Sequence, residues 1–218
     1  MILLATVRSD IKNKSYYIMS SYYKMFHKID VDIVLISKSD IKTYIKLEDK
    51  CDGLLLVGGK DINPIWYKEK KIDTTKLEAS EIDEADLELI DIFYNKQRPI
   101  IGICRGMQII NVYFGGKINQ NISERHVQNK SDIYCHDVNI VKNTMLSKYL
   151  SDKIRVNSFH HQSVDKVGKN LIVNAISDDS IIEGIEYKNI IGVQWHPEQV
   201  NDFNQDILLQ LFEELLTM

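Results

Sequence analysis

The sequence has few cysteines, few prolines and no long apolar run. Its 218 residues include three cysteines, Cys51, Cys104 and Cys135, and three prolines. This odd, low cysteine count argues against a disulfide-stabilised secreted fold and favours reduced thiols in the cytoplasm. No apolar stretch approaches the roughly 20 residues that a membrane span requires. The apolar start, Met1–Val7, is interrupted at once by Arg8-Ser9-Asp10, so we interpret it as a first strand and expect neither a targeting segment nor a membrane partner.

Arginine is scarce, and basic residues do not outnumber acidic ones. The net charge is −4, and only five of the 27 basic residues are arginine. Proteins that bind nucleic acid carry a basic surface that neutralises phosphates, so this balance excludes nucleic acid as an expected partner. With 44% hydrophobic residues the chain can bury a full core, and its length fits one domain over residues 1–218.

Short apolar runs alternate with amphipathic stretches along the chain, which is typical of βαβ units. We therefore predict an α/β fold with a mostly parallel central sheet and flanking helices. The predicted strands are Met1–Val7, Val31–Ser37, Gly53–Val57, Pro99–Cys104, Asp137–Val141, Lys153–Val156, Leu171–Ala175, Ile181–Tyr187 and Ile190–Gln194. The predicted helices are Ser15–Ile29, Ile41–Leu47, Glu81–Tyr94, Gly106–Phe114, Thr144–Leu150 and Asp206–Leu216. Polar loops are expected at Lys60–Asp73 and Asn121–Asp132.

Cys104 lies between a buried strand and a helix, with glycine two residues to each side at Gly102 and Gly106. This pattern is typical of a nucleophile elbow, a tight turn that presents a reactive side chain above the sheet edge. Glycine at both positions avoids a collision at the turn. The helix N-terminus directly after Cys104 is expected to favour the thiolate. The alternative is a buried cysteine at the end of a strand.

A second motif, His196-Pro197-Glu198, follows the predicted strand Ile190–Gln194. In extended backbone, residues two apart share a face, so the Glu198 carboxylate can reach the His196 imidazole. Such a contact fixes the histidine tautomer and stabilises its charged form. A thiol, an imidazole and a carboxylate are together the parts of a cysteine triad. The alternative is a surface turn at the end of a strand.

These segments resemble the two motifs of the class I glutamine amidotransferases. Gly102-Ile103-Cys104-Arg105-Gly106-Met107-Gln108 is similar to the nucleophile motif G-x-C-x-G-x-Q, and Trp195-His196-Pro197-Glu198 is similar to x-H-P-E. Three further segments resemble the γ-glutamyl hydrolase subgroup, which is peptidase C26-like: Val57-Gly58-Gly59-Lys60-Asp61-Ile62-Asn63-Pro64-Ile65-Trp66-Tyr67, Val156-Asn157-Ser158-Phe159-His160-His161-Gln162 and Ile182-Glu183-Gly184-Ile185-Glu186.

The resemblance implies a flavodoxin-like, three-layer architecture and a role for each matching residue. Cys104 would be the nucleophile, His196 the base and then the acid, and Glu198 the residue that orients the imidazole. The backbone N–H groups of Gly59 and Arg105 would form the oxyanion hole. The residues expected to bind the substrate are Gly58, Asp61, Gln108, His161 and Gln162.

Several of these residues also have structural interpretations. Gln108 could cap the helix or face solvent, Asp61 could bind its own turn, and His160-His161 could be a satisfied surface pair. His126 and His136 are interpreted as structural or solvated, since no three-ligand zinc spacing exists.

The resemblance implies a hydrolase that cleaves the γ-glutamyl amide bond of a small conjugate without metal or organic cofactor. It would release L-glutamate and an amine, or an amide-type leaving group such as a nucleotide phosphoramidate. Lys60, Arg105 and Arg125 could receive an anionic leaving group. Two alternatives stay open: a glutaminase subunit that delivers ammonia to a synthetase partner, and a non-catalytic binding relative. A homodimer is a further expectation.

Overall fold

The computed structural model describes residues 1–10, 12, 14–42, 50–122, 126–128 and 132–217. In chain order, the strands are β1 (Ile2–Thr6), β2 (Arg8–Asp10), β3 (Ser15–Tyr17), β4 (Asp32–Ile36), β5 (Gly53–Leu56), β6 (Ile100–Ile103), β7 (Lys117–Asn119), β8 (His136–Ile140), β9 (Lys153–Val156), β10 (Ser163–Lys166), β11 (Ile172–Ser177), β12 (Ile182–Tyr187) and β13 (Ile190–Val193). The α-helices are α1 (Ser20–Phe26), α2 (Ser80–Asn95), α3 (Arg105–Tyr113) and α4 (Phe203–Thr217).

The sheet has a parallel half and an antiparallel half. The order β4-β1-β5-β6-β13 is parallel throughout. It continues antiparallel through β12, β11, β8 and β9, while β10 pairs with β12 and β7. In the parallel half, Gly102 lies beside Leu56 on one neighbour and beside Gly192 on the other. The chain therefore leaves β5, β6 and β13 at the same edge of the sheet.

Apolar side chains cover both faces of the parallel half because successive residues of a strand point to opposite faces. On β1, Leu3 and Ala5 belong to a core that includes apolar residues of α1 and α4, whereas Leu4 belongs to a core with residues of α2 and α3. Burying each such leucine stabilises the fold by about 1.5–3 kcal/mol. The result is a helix–sheet–helix arrangement, so the predicted α/β class with flanking helices is confirmed.

Some predicted elements differ from the structure. The helix predicted at Ser15–Ile29 was too long: Ser15–Tyr17 pairs with β2 as a hairpin, and the α-helix starts only at Ser20. Aromatic and β-branched residues favour strands when a partner strand is available, and β2 supplies one. The helix predicted at Thr144–Leu150 is a 3₁₀ turn at Leu146–Lys148.

The short polar strands β7 and β10 were not predicted. They pair with each other, and their residues show no long alternating pattern that could reveal them. From residue 43 onward, the helix predicted at Ile41–Leu47 lies outside the described residues, as do parts of the loop predicted at Asn121–Asp132. Within the described part of the chain, no helix is both long and apolar enough to cross a membrane.

Candidate active site

Cys104 sits in a strained turn between β6 and α3. Its backbone has φ +53° and ψ −106°, a region that non-glycine residues adopt only at a cost of about 1–3 kcal/mol. Its N–H donates to the Val193 carbonyl at 2.8 Å, which ties the turn to β13. A Cβ at Gly102 would lie 2.7 Å from the Gly106 carbonyl carbon, and one at Gly106 would lie 1.9 Å from the Leu56 oxygen. The turn therefore requires glycine at both positions, as expected for a nucleophile elbow.

His196 and Glu198 meet just beyond the end of β13. The imidazole Nδ1 lies 2.7 Å from Glu198 Oε1, and both residues are buried. Asn157 holds the histidine backbone from both sides: its amide donates to the His196 carbonyl at 2.7 Å and accepts from the His196 N–H at 2.8 Å. Since Nδ1 is engaged by Glu198, Nε2 is the nitrogen left for a second partner.

That second partner is Cys104. Burial alone would lower the pKa of His196, but the Glu198 carboxylate and the neighbouring Cys104 raise that pKa well above its ordinary value. Both neighbours favour the charged form of the imidazole. The fold thus brings Cys104 beside His196 and Glu198, although His196 follows Cys104 by 92 residues in the sequence.

The turn after β5 forms a third side of this site. A Cβ at Gly58 would lie 2.8 Å from His196 Cε1, so only glycine allows this approach. Arg8 holds the turn from behind: its Nε donates to the Gly58 carbonyl at 2.9 Å and its Nη2 to the Val57 carbonyl at 2.8 Å. In a trans peptide the C=O and the next N–H point in opposite directions. The Gly59 N–H therefore points away from Arg8.

The Arg105 backbone and side chain point to different places. As the first residue of α3, its N–H has no acceptor within the helix and directly follows Cys104. Its guanidinium is buried and pairs with Asp83, at 2.5 Å, and with Asp86. Arg8 also pairs with Asp86, at 3.3 Å. The suggestion that the Arg105 side chain receives an anionic leaving group is therefore wrong, because two carboxylates of α2 already hold it; Arg125 lies outside the described residues.

A chain of buried amides lies behind the sulfur. Gln194, which sequence reasoning did not single out, donates from Nε2 to Cys104 Sγ at 3.4 Å. The Gln108 amide donates to Gln194 Oε1 at 3.0 Å and to the Gln162 carbonyl at 3.2 Å. Gln108 and Gln162 are almost fully buried, so the solvent-facing alternative for Gln108 does not hold. Their contact with a substrate stays a prediction.

His161 and Asp61 form a partly exposed pair at the edge of an open pocket. His161 Nε2 lies 3.0 Å from Asp61 Oδ1, and Asp61 Oδ2 accepts from the Lys76 N–H at 2.6 Å. The Asp61 carboxylate therefore holds the backbone of a segment 15 residues later and contacts His161, rather than binding its own turn. The pocket beside this pair is lined by Thr74, Lys76, Asn121, Ile122, Val127 and His161.

The neighbouring histidine, His160, is more deeply buried than His161. His160 is only 5% exposed, so the interpretation of His160-His161 as a surface pair is wrong for His160. It lies in a cluster with His126, His136 and Glu183. These residues come from separate segments, so local spacing offers no signal for the cluster. Among the described residues, His126, His160 and Glu183 are placed so that they could hold a metal ion.

Comparison with known proteins places the chain in a family. The sequence profile of the peptidase C26 family matches residues 4–198. The glutamine amidotransferase-like protein YvdE of Lactococcus lactis subsp. lactis is 33% identical over 201 residues, covering 85% of this chain and 82% of that protein. The γ-glutamyl-γ-aminobutyrate hydrolase of Escherichia coli O157:H7 is 29% identical over 189 residues, covering 79% of this chain and 73% of that enzyme.

A solved structure agrees at the level of the fold. The crystal structure of a glutamine amidotransferase from Thermotoga maritima matches with a TM-score of 0.66 and 16% identity, covering 100% of this chain and 98% of the other. This likeness confirms the predicted class I glutamine amidotransferase fold. Since the family profile spans almost every strand around the site, and the Lactococcus relative aligns over most of both chains, the chain belongs to the peptidase C26 family.

Proposed function

We propose that this chain is a cysteine hydrolase that cleaves the γ-glutamyl amide bond of small conjugates and releases L-glutamate. The observation that carries the proposal is the proximity of Cys104, His196 and Glu198, with the imidazole bonded to the carboxylate at 2.7 Å and Cys104 acting on the same imidazole. An activated thiol with an oriented imidazole is the equipment for acyl transfer.

In the first step the Cys104 thiolate attacks the γ-carbonyl carbon of the substrate. A C–S bond forms and the carbonyl oxygen takes the negative charge. The N–H groups of Gly59 and Arg105 would stabilise this oxyanion, and loss of one such donor typically costs about 2.7–4 kcal/mol. The imidazolium of His196 then gives its proton to the leaving nitrogen as the C–N bond breaks, which leaves a thioester and a free amine.

In the second step water replaces the amine. Neutral His196 removes a proton from water, and the resulting hydroxide attacks the thioester carbon. The C–S bond breaks, the sulfur leaves as thiolate, and glutamate departs with the new oxygen. Glu198 keeps the same nitrogen of His196 engaged in both steps, so a single imidazole serves as acid and then as base.

The substrate class rests on family similarity rather than on pocket geometry. The E. coli relative is named for γ-glutamyl-γ-aminobutyrate, which is a γ-glutamyl amine, so we propose γ-glutamyl amines as the first class to test. γ-Glutamyl phosphoramidates and free glutamine complete the series, since all three share the γ-glutamyl acyl group that the triad would attack.

The decisive experiment joins a substrate screen to active-site labelling. Purified wild-type protein is incubated with γ-glutamyl amines, phosphoramidates and glutamine, and glutamate release is followed with a coupled dehydrogenase. A diazoketone analogue of glutamine should label Cys104, detected by peptide mass spectrometry, and leave Cys51 and Cys135 unlabelled. Cys104→Ala should abolish turnover, while Cys51→Ala, a matched change at a buried cysteine, should retain it.

Two results would contradict the proposal. Near-wild-type turnover by Cys104→Ala would exclude the triad. Turnover of glutamine alone, increased by an added synthetase, would favour the ammonia-delivering alternative instead.

A further inference from the structure

Three histidines and a glutamate form a buried cluster on the antiparallel half of the sheet. His126 and His160 are 1% and 5% exposed, and Glu183 is 0% exposed. His136 is partly exposed at the rim. The proposed reaction uses none of these side chains. Burying a carboxylate and two imidazoles is unfavourable unless their polar atoms find partners, so the cluster requires an explanation.

The hydrogen bonds around the cluster determine where the ring protons are. His160 Nδ1 lies 2.9 Å from the Gln162 carbonyl, an acceptor only, so Nδ1 carries a proton. His126 Nε2 lies 3.1 Å from the Asp179 carboxylate and carries one as well. A neutral imidazole has a single ring proton. The opposite nitrogens, His160 Nε2 and His126 Nδ1, therefore present lone pairs in the neutral rings.

Both of these nitrogens face the Glu183 carboxylate. His126 Nδ1 lies 3.4 Å and His160 Nε2 lies 3.7 Å from Glu183 Oε1, and neither nitrogen makes a hydrogen bond of acceptable geometry. Glu183 Oε2 also lacks a partner. Lone pairs that face a carboxylate repel it, and a cation between them removes the repulsion.

We propose that His126 Nδ1, His160 Nε2 and Glu183 bind a divalent transition-metal ion, with Zn²⁺ as the reference, while His136 Nε2, at 3.2 Å from Glu183 Oε1, holds the carboxylate from the rim. The three ligand atoms of His126, His160 and Glu183 lie within 4.8 Å of one another. Imidazole and carboxylate are zinc ligands, and four ligands at the usual 2.0–2.1 Å in a tetrahedron lie about 3.3 Å apart. The distances from Glu183 Oε1 to His126 Nδ1 and His160 Nε2 are 3.4 and 3.7 Å.

The surroundings of the cluster also suit a metal. A ligating histidine usually donates its other ring N–H to a carboxylate or to a backbone carbonyl. His126 lies against the Asp179 carboxylate in this way, and His160 against the Gln162 carbonyl. An open pocket leads from solvent to the cluster, lined by His126, Cys135, His136, Asp137, Asp178 and Asp179. Its three aspartates would attract a cation on its way in.

The Gln162 carbonyl links the cluster to the candidate active site. It accepts from His160 Nδ1 and also from the Gln108 amide, which in turn bonds Gln194 beside the sulfur. A bound ion would fix the His160 ring and hence this carbonyl. We assign the ion a structural role, in which it stabilises the folded chain and holds the amides behind Cys104, and no part in the chemical step.

The test is metal content and affinity in the full chain. The protein is stripped with a chelator, reloaded with Zn²⁺, desalted and measured by plasma mass spectrometry. The wild type should retain about one equivalent and gain thermal stability on reloading, and Co²⁺ should give the intense visible bands of a four-coordinate site. Glu183→Gln and His160→Ala should lose the ion, and Asp179→Asn should weaken Zn²⁺ binding by about 10–100-fold.

Two controls separate this site from others. His27→Gln removes an exposed histidine elsewhere, and Cys104→Ala removes the candidate nucleophile, so both variants should keep the full equivalent. A wild type that retains no Zn²⁺ or Co²⁺ after desalting, with unchanged melting temperature, would overturn the proposal. The positive charge in the cluster would then be a proton shared among the histidines instead of a metal ion. Full metal retention by a folded Glu183→Gln variant, or loss in Cys104→Ala, would overturn it as well. Each of these failures leaves the hydrolase proposal standing, because that proposal is tested by measuring glutamate release.

Discussion

Asp86→Asn should strongly destabilise the protein. The Asp86 carboxylate is fully buried and receives three donors, the guanidinium groups of Arg8 and Arg105 and the Thr6 hydroxyl. An asparagine keeps the shape but removes the charge, which leaves Arg105 its pair with Asp83 and leaves Arg8 the more distant charge of Glu78. Breaking a buried ion pair in this way typically costs about 3–5 kcal/mol. For a chain of this size that corresponds to a loss of about 6–20 °C in melting temperature.

The effect should also depend on pH with a defined sign. Burial alone would raise the pKa of Asp86, but the guanidinium groups of Arg8 and Arg105 and the Thr6 hydroxyl hold it below its ordinary value. A carboxyl whose pKa is lower in the folded than in the unfolded state contributes stability above the unfolded value, and this contribution is lost as the pH falls through the folded value. The difference in the free energy of unfolding between wild type and Asp86→Asn should therefore be constant from about pH 8 to 5 and shrink below about pH 4.

Urea unfolding of both proteins across this pH range measures the difference directly. The matched control is Asp91→Asn, the same change on an exposed position of α2 whose partner is the Tyr113 hydroxyl; it should change stability by about 0.5 kcal/mol or less. A loss of stability for Asp86→Asn no larger than that of the control would refute the reasoning. So would a loss of stability that grows toward acid pH.

Three further changes test the site itself. Glu198→Gln removes the carboxylate that raises the pKa of His196, so the alkaline limb of kcat/KM should move down by about one pH unit or more; an unmoved limb would contradict this. Gly102→Ala places a Cβ 2.7 Å from the Gly106 carbonyl carbon and should cost about 1–3 kcal/mol in urea unfolding, whereas unchanged stability would show that the turn can relax. Gln194→Met removes the donor to the sulfur and should lower kcat with little change in KM; an equal rise in KM would indicate a role in binding.

The strands of the parallel half could be predicted because their burial on two faces leaves a clear signal. Ile100–Ile103 and Ile190–Val193 are continuous apolar runs, as expected for strands covered by helices on both sides. The Ser15–Tyr17 hairpin could not be predicted, since its strand character depends on pairing with Arg8–Asp10. Pairing of this kind depends on tertiary structure, which the local pattern of Ser15–Ile29 does not encode.

The same distinction applies to the site. Cys104, His196 and Glu198 could be singled out because each belongs to a short motif at the end of a predicted strand, and parallel strands end at one edge. The contacts behind them join residues far apart in sequence: Arg8 to Asp86 across 78 residues, and Gln194 to Cys104 across 90. An arginine or a glutamine has no local pattern that names its partner, so these contacts required the folded chain.

Arg105 shows how the fold can divide one residue between two tasks. Its position after Cys104 made its side chain a natural candidate to receive a negative leaving group, yet that side chain pairs with Asp83 and Asp86 under the turn. The same ion network includes Arg8, which holds the Gly58 carbonyl and so directs the Gly59 N–H away from itself. Both candidate oxyanion donors are therefore held in place by one set of buried charges. It follows that any charge recognition of the leaving group must come from residues outside this network.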